Sequence, residues 1–174
     1  MKRSVVVLAA ASVLLLSACG SPAPAADVAG PATMPATSSA PAPRPGFDAP
    51  VAFGQTVKFP SGVEATVSAV SFAPPGKDVG VVGDGNQAVF ALSIANNSSE
   101  KIDASKMSWP KVTYGALKSA TPISNANITT MLPGDKGEDK FSRFIPAAEG
   151  GKVRVQVADP AGGDPAVFEG SISG

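Results

Sequence analysis

The stretch Ala88-Val89-Phe90-Ala91-Leu92-Ser93-Ile94 decides the fold. Ala88, Phe90, Leu92 and Ile94 take one face of a period-two pattern, and Val89, Ala91 and Ser93 take the other. Both faces are fairly apolar, which predicts a central strand with few exposed side chains. Asn96-Asn97-Ser98-Ser99 then ends the run with turn formers. Working outward, Gln55–Phe59 places Val57 and Phe59 on one face, and Pro60-Ser61-Gly62 reads as a tight turn. In Val63–Phe72 the alternation of Val63, Ala65 and Val67 breaks at Ala69-Val70, which predicts a bulge before Phe72 turns inward.

Downstream, Lys106–Tyr114 reads as a weaker strand that Pro110 places at an edge or a break. Pro133-Gly134-Asp135 is a turn, after which Phe141 and Phe144 are expected inside, with Lys140 and Arg143 facing water. Val153, Val155 and Val157 alternate with Lys152, Arg154 and Gln156, and Ala166-Val167-Phe168 with Ile172 gives a last strand. No convincing helix-period segment appears. The pattern predicts an all-β, immunoglobulin-like antiparallel sandwich of about seven strands over residues 51–174. The single cysteine of the chain excludes an intrachain disulfide, so packing alone must hold the fold.

Composition narrows the chemistry. Fourteen basic residues balance fourteen acidic ones, which argues against a nucleic-acid partner, since that needs a basic face. The chain has no histidine, so a Ser-His-Asp triad, a Cys-His pair and a histidine-ligated zinc are all excluded.

The first 18 residues read as a secretory signal. Lys2 and Arg3 precede an apolar run from Val5 to Leu16, too short for a hydrocarbon core that needs about 20 residues. The run ends in Leu16-Ser17-Ala18-Cys19, which resembles the lipobox of bacterial lipoproteins. That resemblance implies a diacylglyceryl thioether on Cys19 and cleavage before it. Two or three acyl chains hold a protein on a membrane stably, where one does so only marginally. Residues 19–50 then read as the lipidated cysteine followed by a Pro/Ala-rich disordered linker. Fully extended, such a linker reaches on the order of 100 Å. Together these place the domain outside the cytoplasm, tethered to the bacterial cell membrane.

Five motifs of the domain occur in an order that resembles a known family. They are Phe53-Gly54-Gln55-Thr56-Val57, Gly62-Val63-Glu64-Ala65-Thr66-Val67, Ile94-Ala95-Asn96-Asn97-Ser98, Leu132-Pro133-Gly134 and Asp164-Pro165-Ala166-Val167-Phe168-Glu169-Gly170. The family is that of secreted, immunoglobulin-like domains of unknown function in actinobacterial and Gram-positive lipoproteins. A mycobacterial secreted immunogenic protein has a similar fold, and some members carry a telomere-repeat-factor label. The resemblance implies the fold and brings no catalytic residues.

Other candidate sites reduce to ordinary structure. Asp78, Asp84 and Asn86 could ligate Ca²⁺, but their spacing is irregular, and a loop ending in a Gly-Asn turn is the simpler reading. Gly80, Gly83 and Gly85 are not followed by a helix that could meet a phosphate. Ser98 and Lys101 have a serine-lysine spacing but fall in an exposed turn. Glu138 and Asp139 must point to opposite faces of a strand. Met107 and Met131 read as core filler.

Trp109 and Tyr114 are the candidate interaction residues, with core or edge packing the commoner use of such side chains. The expected function is a non-catalytic binding module at the cell envelope. Its partner is an envelope protein or a wall polymer, and it acts as a monomer with no cofactor and no metal. A structural surface antigen or spacer without a specific ligand is the alternative, and a hydrolase is disfavoured.

Overall fold

Alternating apolar residues close into two sheets in the computed structural model, which describes residues 42–76 and 85–173. The early strands are β1 (Val51–Ala52), β2 (Thr56–Lys58), β3 (Val63–Ala73), β4 (Gly85–Asn96) and β5 (Ile102–Asp103). There follow β6 (Lys111–Tyr114), β7 (Lys118–Ser119), β8 (Thr121–Ser124) and β9 (Thr130–Met131). The last are β10 (Lys136–Pro146), β11 (Val153–Val157) and β12 (Ala166–Gly170). One five-stranded sheet has the order β1-β12-β11-β6-β7, the other the order β2-β3-β4-β10-β8, and β5 pairs with β9. All pairs are antiparallel except β1 with β12. Among the described residues, seven of these strands have four residues or more, and the chain is a β-sandwich.

The deciding stretch lies in β4, the central strand of its sheet. Ala88, Phe90, Leu92 and Ile94 are buried, and the opposite face is half-buried. The ring of Phe90 stacks on that of Phe141 at 5.1 Å and meets Phe53 edge-on at 5.8 Å. Burying each such side chain is worth about 1.5–3 kcal/mol, and each aromatic pair adds about 0.5–1.5 kcal/mol. Val153, Val155 and Val157 on β11 and Ala166 and Phe168 on β12 supply the facing layer. The bulge falls where the alternation breaks: pairing slips between Ala69 and Ser71, leaving Val70 48% exposed and returning Phe72 to the core. At the Pro60-Ser61-Gly62 turn, Gly62 takes φ 90°, and its N–H donates to the Phe59 carbonyl at 2.9 Å.

Four expectations are corrected. Lys106 does not begin a strand: Ala104–Ser108 is a 3₁₀ turn capped by Asp103, whose side chain accepts from the Ser105 N–H at 3.0 Å. The strand starts only after Pro110, at Lys111. Gly85 and Asn86 are not a turn but the first residues of β4, opposite Pro146 and Ile145. Gly85 has no Cβ to obstruct the Phe144 ring that lies against it.

Arg143 does not face water. The β10–β4 register runs unbroken from Lys136 to Pro146, so Arg143 shares the inward parity of Phe141 and Ile145, while Phe144 points outward and is half-buried. Finally, the linker reading overran the start of the domain. Pro45 and Ala49 form a bridge, Phe47 meets Phe59 edge-on at 5.7 Å, and the Val167 N–H donates to the Gly46 carbonyl at 2.7 Å. Phe47 brings bulky apolar surface that the Pro-Ala units lack, and the domain uses it.

Candidate binding surface around Trp109

Trp109 is the only tryptophan of the chain and is 71% exposed. It caps the 3₁₀ turn Ala104–Ser108, between two buried residues, Ser108 and Pro110. Both neighbours are fixed. The Ser108 hydroxyl donates to the Ile128 carbonyl at 2.6 Å and accepts from the Ile128 N–H at 3.1 Å. The Pro110 carbonyl accepts from Arg143 Nη2 at 2.8 Å.

Arg143 is 3% exposed and has no carboxylate partner among the described residues. Its guanidinium also donates to the carbonyls of Ser124 and Ser142 and to Asn125 Oδ1, and it lies 5.2 Å from the centre of the Phe141 ring. One cation thus ties β10, the end of β8 and the entry to β6, joining the two sheets beneath the exposed indole. Burial pushes its pKa down, and the ring of acceptors keeps the buried charge satisfied.

From Trp109 the exposure alternates exposed, buried, exposed, buried to Val112. Lys111 opens the outer face of the β1-β12-β11-β6-β7 sheet, and the exposed Trp109 stands two residues ahead of it, before β6 begins. Gln156 stands opposite Lys111, and Arg154 stands opposite Thr113. Arg154 Nε donates to Glu169 Oε2, and Lys152 Nζ lies 3.6 Å from Glu169 Oε1. The Arg154 hydrogen bond holds the Glu169 carboxyl below its usual range.

The outer face of the other sheet carries a polar trough of about 420 Å³, lined by Thr56, Thr66, Ser93, Glu64, Glu138 and Lys136 among others. The Ser93 hydroxyl donates to Glu138 Oε2 at 2.7 Å, and the Thr56 and Thr66 hydroxyls meet at 2.8 Å. Glu138 and Glu64 stand on strands either side of β4, roughly 10 Å apart across the sheet.

Of the two interaction residues read from the sequence, only Trp109 presents itself. Tyr114 has the parity of Val112 and packs partly buried against the core. Four residues lie between it and Trp109, and its inward parity keeps the two from making a common patch. Glu138 and Asp139 do point apart, Glu138 into the trough and Asp139 towards the Asn127 N–H, which donates to it at 2.7 Å. That bond holds the Asp139 carboxyl below its usual range. Met107 and Met131 are buried. No group of three metal-ligating side chains forms among the described residues. Cys19 with Leu16, Ser17 and Ala18, and the Asp78, Asp84, Gly80 and Gly83 candidates, lie outside the described residues.

The sequence reading missed Arg143 as the support of this surface. The parity of Phe141 was the available sign, since an unbulged strand must send residue 143 the same way.

No family model and no curated protein matches the sequence. Solved structures do. The yjhA protein of Bacillus subtilis superposes with a TM-score of 0.52 at 14% identity, over 71% of this chain and 99% of its own. The candidate lipoprotein ycdA of Bacillus subtilis superposes with a TM-score of 0.51 at 11% identity, over 63% of this chain. This chain spans only 36% of that protein. The likeness is one of fold. An uncharacterised β-sandwich protein of Clostridium difficile also matches, at a TM-score of 0.45 and 13% identity, over 68% of this chain and 91% of its own.

Proposed function

We propose that this chain is a lipid-anchored extracytoplasmic protein whose β-sandwich is a non-catalytic binding module at the bacterial cell envelope. We place it in the family of secreted immunoglobulin-like domains that its five motifs resemble. The observation that carries the binding reading is Trp109, an exposed indole on a backbone locked from both sides. Large aromatic side chains on rigid supports contribute strongly to recognition because little entropy is lost when a partner covers them. The tether rests on Leu16-Ser17-Ala18-Cys19, and the fold shared with a candidate lipoprotein supports it.

A photo-reactive residue placed at position 109 in whole cells tests the binding reading. A discrete crosslinked product is expected from position 109 and not from position 140, an exposed site on the other sheet. Equal labelling from the two positions would leave the inert-antigen reading in its place. Membrane fractionation tests the tether separately: Cys19→Ser is expected in the soluble fraction, and its retention in the membrane would refute the anchor.

A further inference from the structure

The exposed surface that begins at Trp109 is a strip rather than a spot. From Trp109 along β6 to the hairpin beyond Tyr114 it runs about 20 Å, at 3.3–3.4 Å per residue. Its surface is polar and hydrogen-bonding after the indole: Lys111 and Gln156 side by side, then Thr113 and Arg154, then Lys152. The one carboxylate facing this strip from β12, Glu169, is engaged by both Arg154 and Lys152. Lys111 makes no ion pair among the described residues. Lys106 is also exposed and stands three residues before Trp109 within the 3₁₀ turn, which Asp103 caps at its start. The strip therefore carries a surplus of positive charge behind a single flat aromatic platform.

We propose that this strip binds an anionic polysaccharide. The inference rests on the binding-module reading and names the ligand class. The indole would stack on the apolar face of a sugar ring, and Lys111 with the Arg154–Lys152 pair would meet carboxylates or phosphates of the polymer. Gln156 and Thr113 would hydrogen-bond its hydroxyl groups. A lipid surface fits less well, because the two large apolar side chains exposed along the strip, Trp109 and Leu117, stand at its opposite ends with polar and charged side chains between them, whereas interfacial insertion draws on buried apolar area. A rod of phosphates or carboxylates without rings would leave the indole unused.

The sole tryptophan makes the test direct. The full-length chain in detergent micelles is titrated with polygalacturonate, with neutral dextran and with polyaspartate, following its emission. Polygalacturonate is expected to quench or blue-shift the emission and to bind at least tenfold more tightly than either control. Its affinity is expected to fall severalfold between 50 and 200 mM salt, as charge contacts are screened. Trp109→Ala, with an unchanged melting temperature, is expected to lose at least tenfold in co-sedimentation with the polymer, and Lys111→Ala severalfold.

Equal binding of polyaspartate, or undiminished binding by Trp109→Ala, overturns the inference. So does an emission that ignores polygalacturonate yet shifts in phosphatidylglycerol nanodiscs and not in phosphatidylcholine ones. If polygalacturonate is not bound but position 109 still gives its crosslinked product in cells, the ligand class is wrong and the binding module stands. If both fail, the module falls with it.

Discussion

Arg143 shows how one side chain sets both stability and presentation. Its guanidinium serves the carbonyls of Pro110, Ser124 and Ser142, and a cation in that role cannot be replaced by an apolar group of similar length. Arg143→Met is expected to leave buried carbonyls unpaired, to cost about 2–4 kcal/mol and to lower the melting temperature by about 10 °C. Arg143→Lys should recover only part of this, because an ammonium cannot span acceptors on three segments. Trp109 fluorescence anisotropy should fall in both variants if the clamp holds the indole's base. An unchanged melting temperature in Arg143→Met would mean the cation is dispensable. Asn96 is a second such residue. It reads as a turn former, yet it is fully buried: its amide donates to the carbonyls of Glu100 and Met131, and Oδ1 accepts from Ser98. Local composition shows neither role, because each depends on a remote acceptor: the Pro110 carbonyl, 33 residues from Arg143, and the Met131 carbonyl, 35 residues from Asn96. Parity along β10 was the one legible clue for Arg143.

Strands of five or more residues with clean alternation were legible because burial enforces a period of two. The β4 stretch and Val153–Val157 fall as expected, and even the bulge at Val70 was visible as a broken period. Short elements were not, because two-residue strands owe their existence to partners. Ile102–Asp103 pairs with Thr130–Met131, and no sequence pattern marks either. The 3₁₀ turn at Ala104–Ser108 was masked by Met107 and Trp109, which suit a strand as well as a helix. The hairpin from β6 to β7 holds a local conflict of its own. Leu117 sits at φ 63° while 60% exposed, in a region where an L side chain costs about 1–2 kcal/mol. Nothing buried compensates it, so Leu117→Gly is expected to stabilise the domain by about 0.5–1 kcal/mol, and Leu117→Asn by somewhat less. Urea midpoints at constant m-value decide this. A loss of stability in Leu117→Gly would show that the leucine side chain holds the hairpin.

For the molecule as a whole, the carboxylates set the response to acid. Hydrogen bonds from the Asn127 and Lys140 N–H groups lower Asp139, and the bond from Arg154 lowers Glu169. The bond from Arg44 lowers Asp48, and the bond from Ser105 lowers Asp103. Each group therefore binds its proton more weakly folded than unfolded. Its stabilising contribution is complete above the unfolded carboxyl pKa of about 3.9–4.3, and it disappears as pH falls through the lower folded value. The chain has no histidine, so nothing of that kind titrates between pH 5 and 8. The melting temperature should be flat from pH 5 to 8 and fall steadily below about pH 4. Glu169→Gln and Asp139→Asn should each be less stable at neutral pH and show a shallower acid slope. One of these acids, Asp48, also reports on the domain's beginning. Asp48 and Asp164 both bind Arg44, in a segment that starts before Val51. A chain beginning at Val51 lacks that segment and the Phe47–Phe59 contact. It should melt several degrees below one beginning at Ala42, and the gap should narrow in acid as Asp48 protonates. Calorimetry of the two chains at pH 7 and pH 3 checks both statements, and equal melting temperatures at pH 7 would return residues 42–50 to the linker.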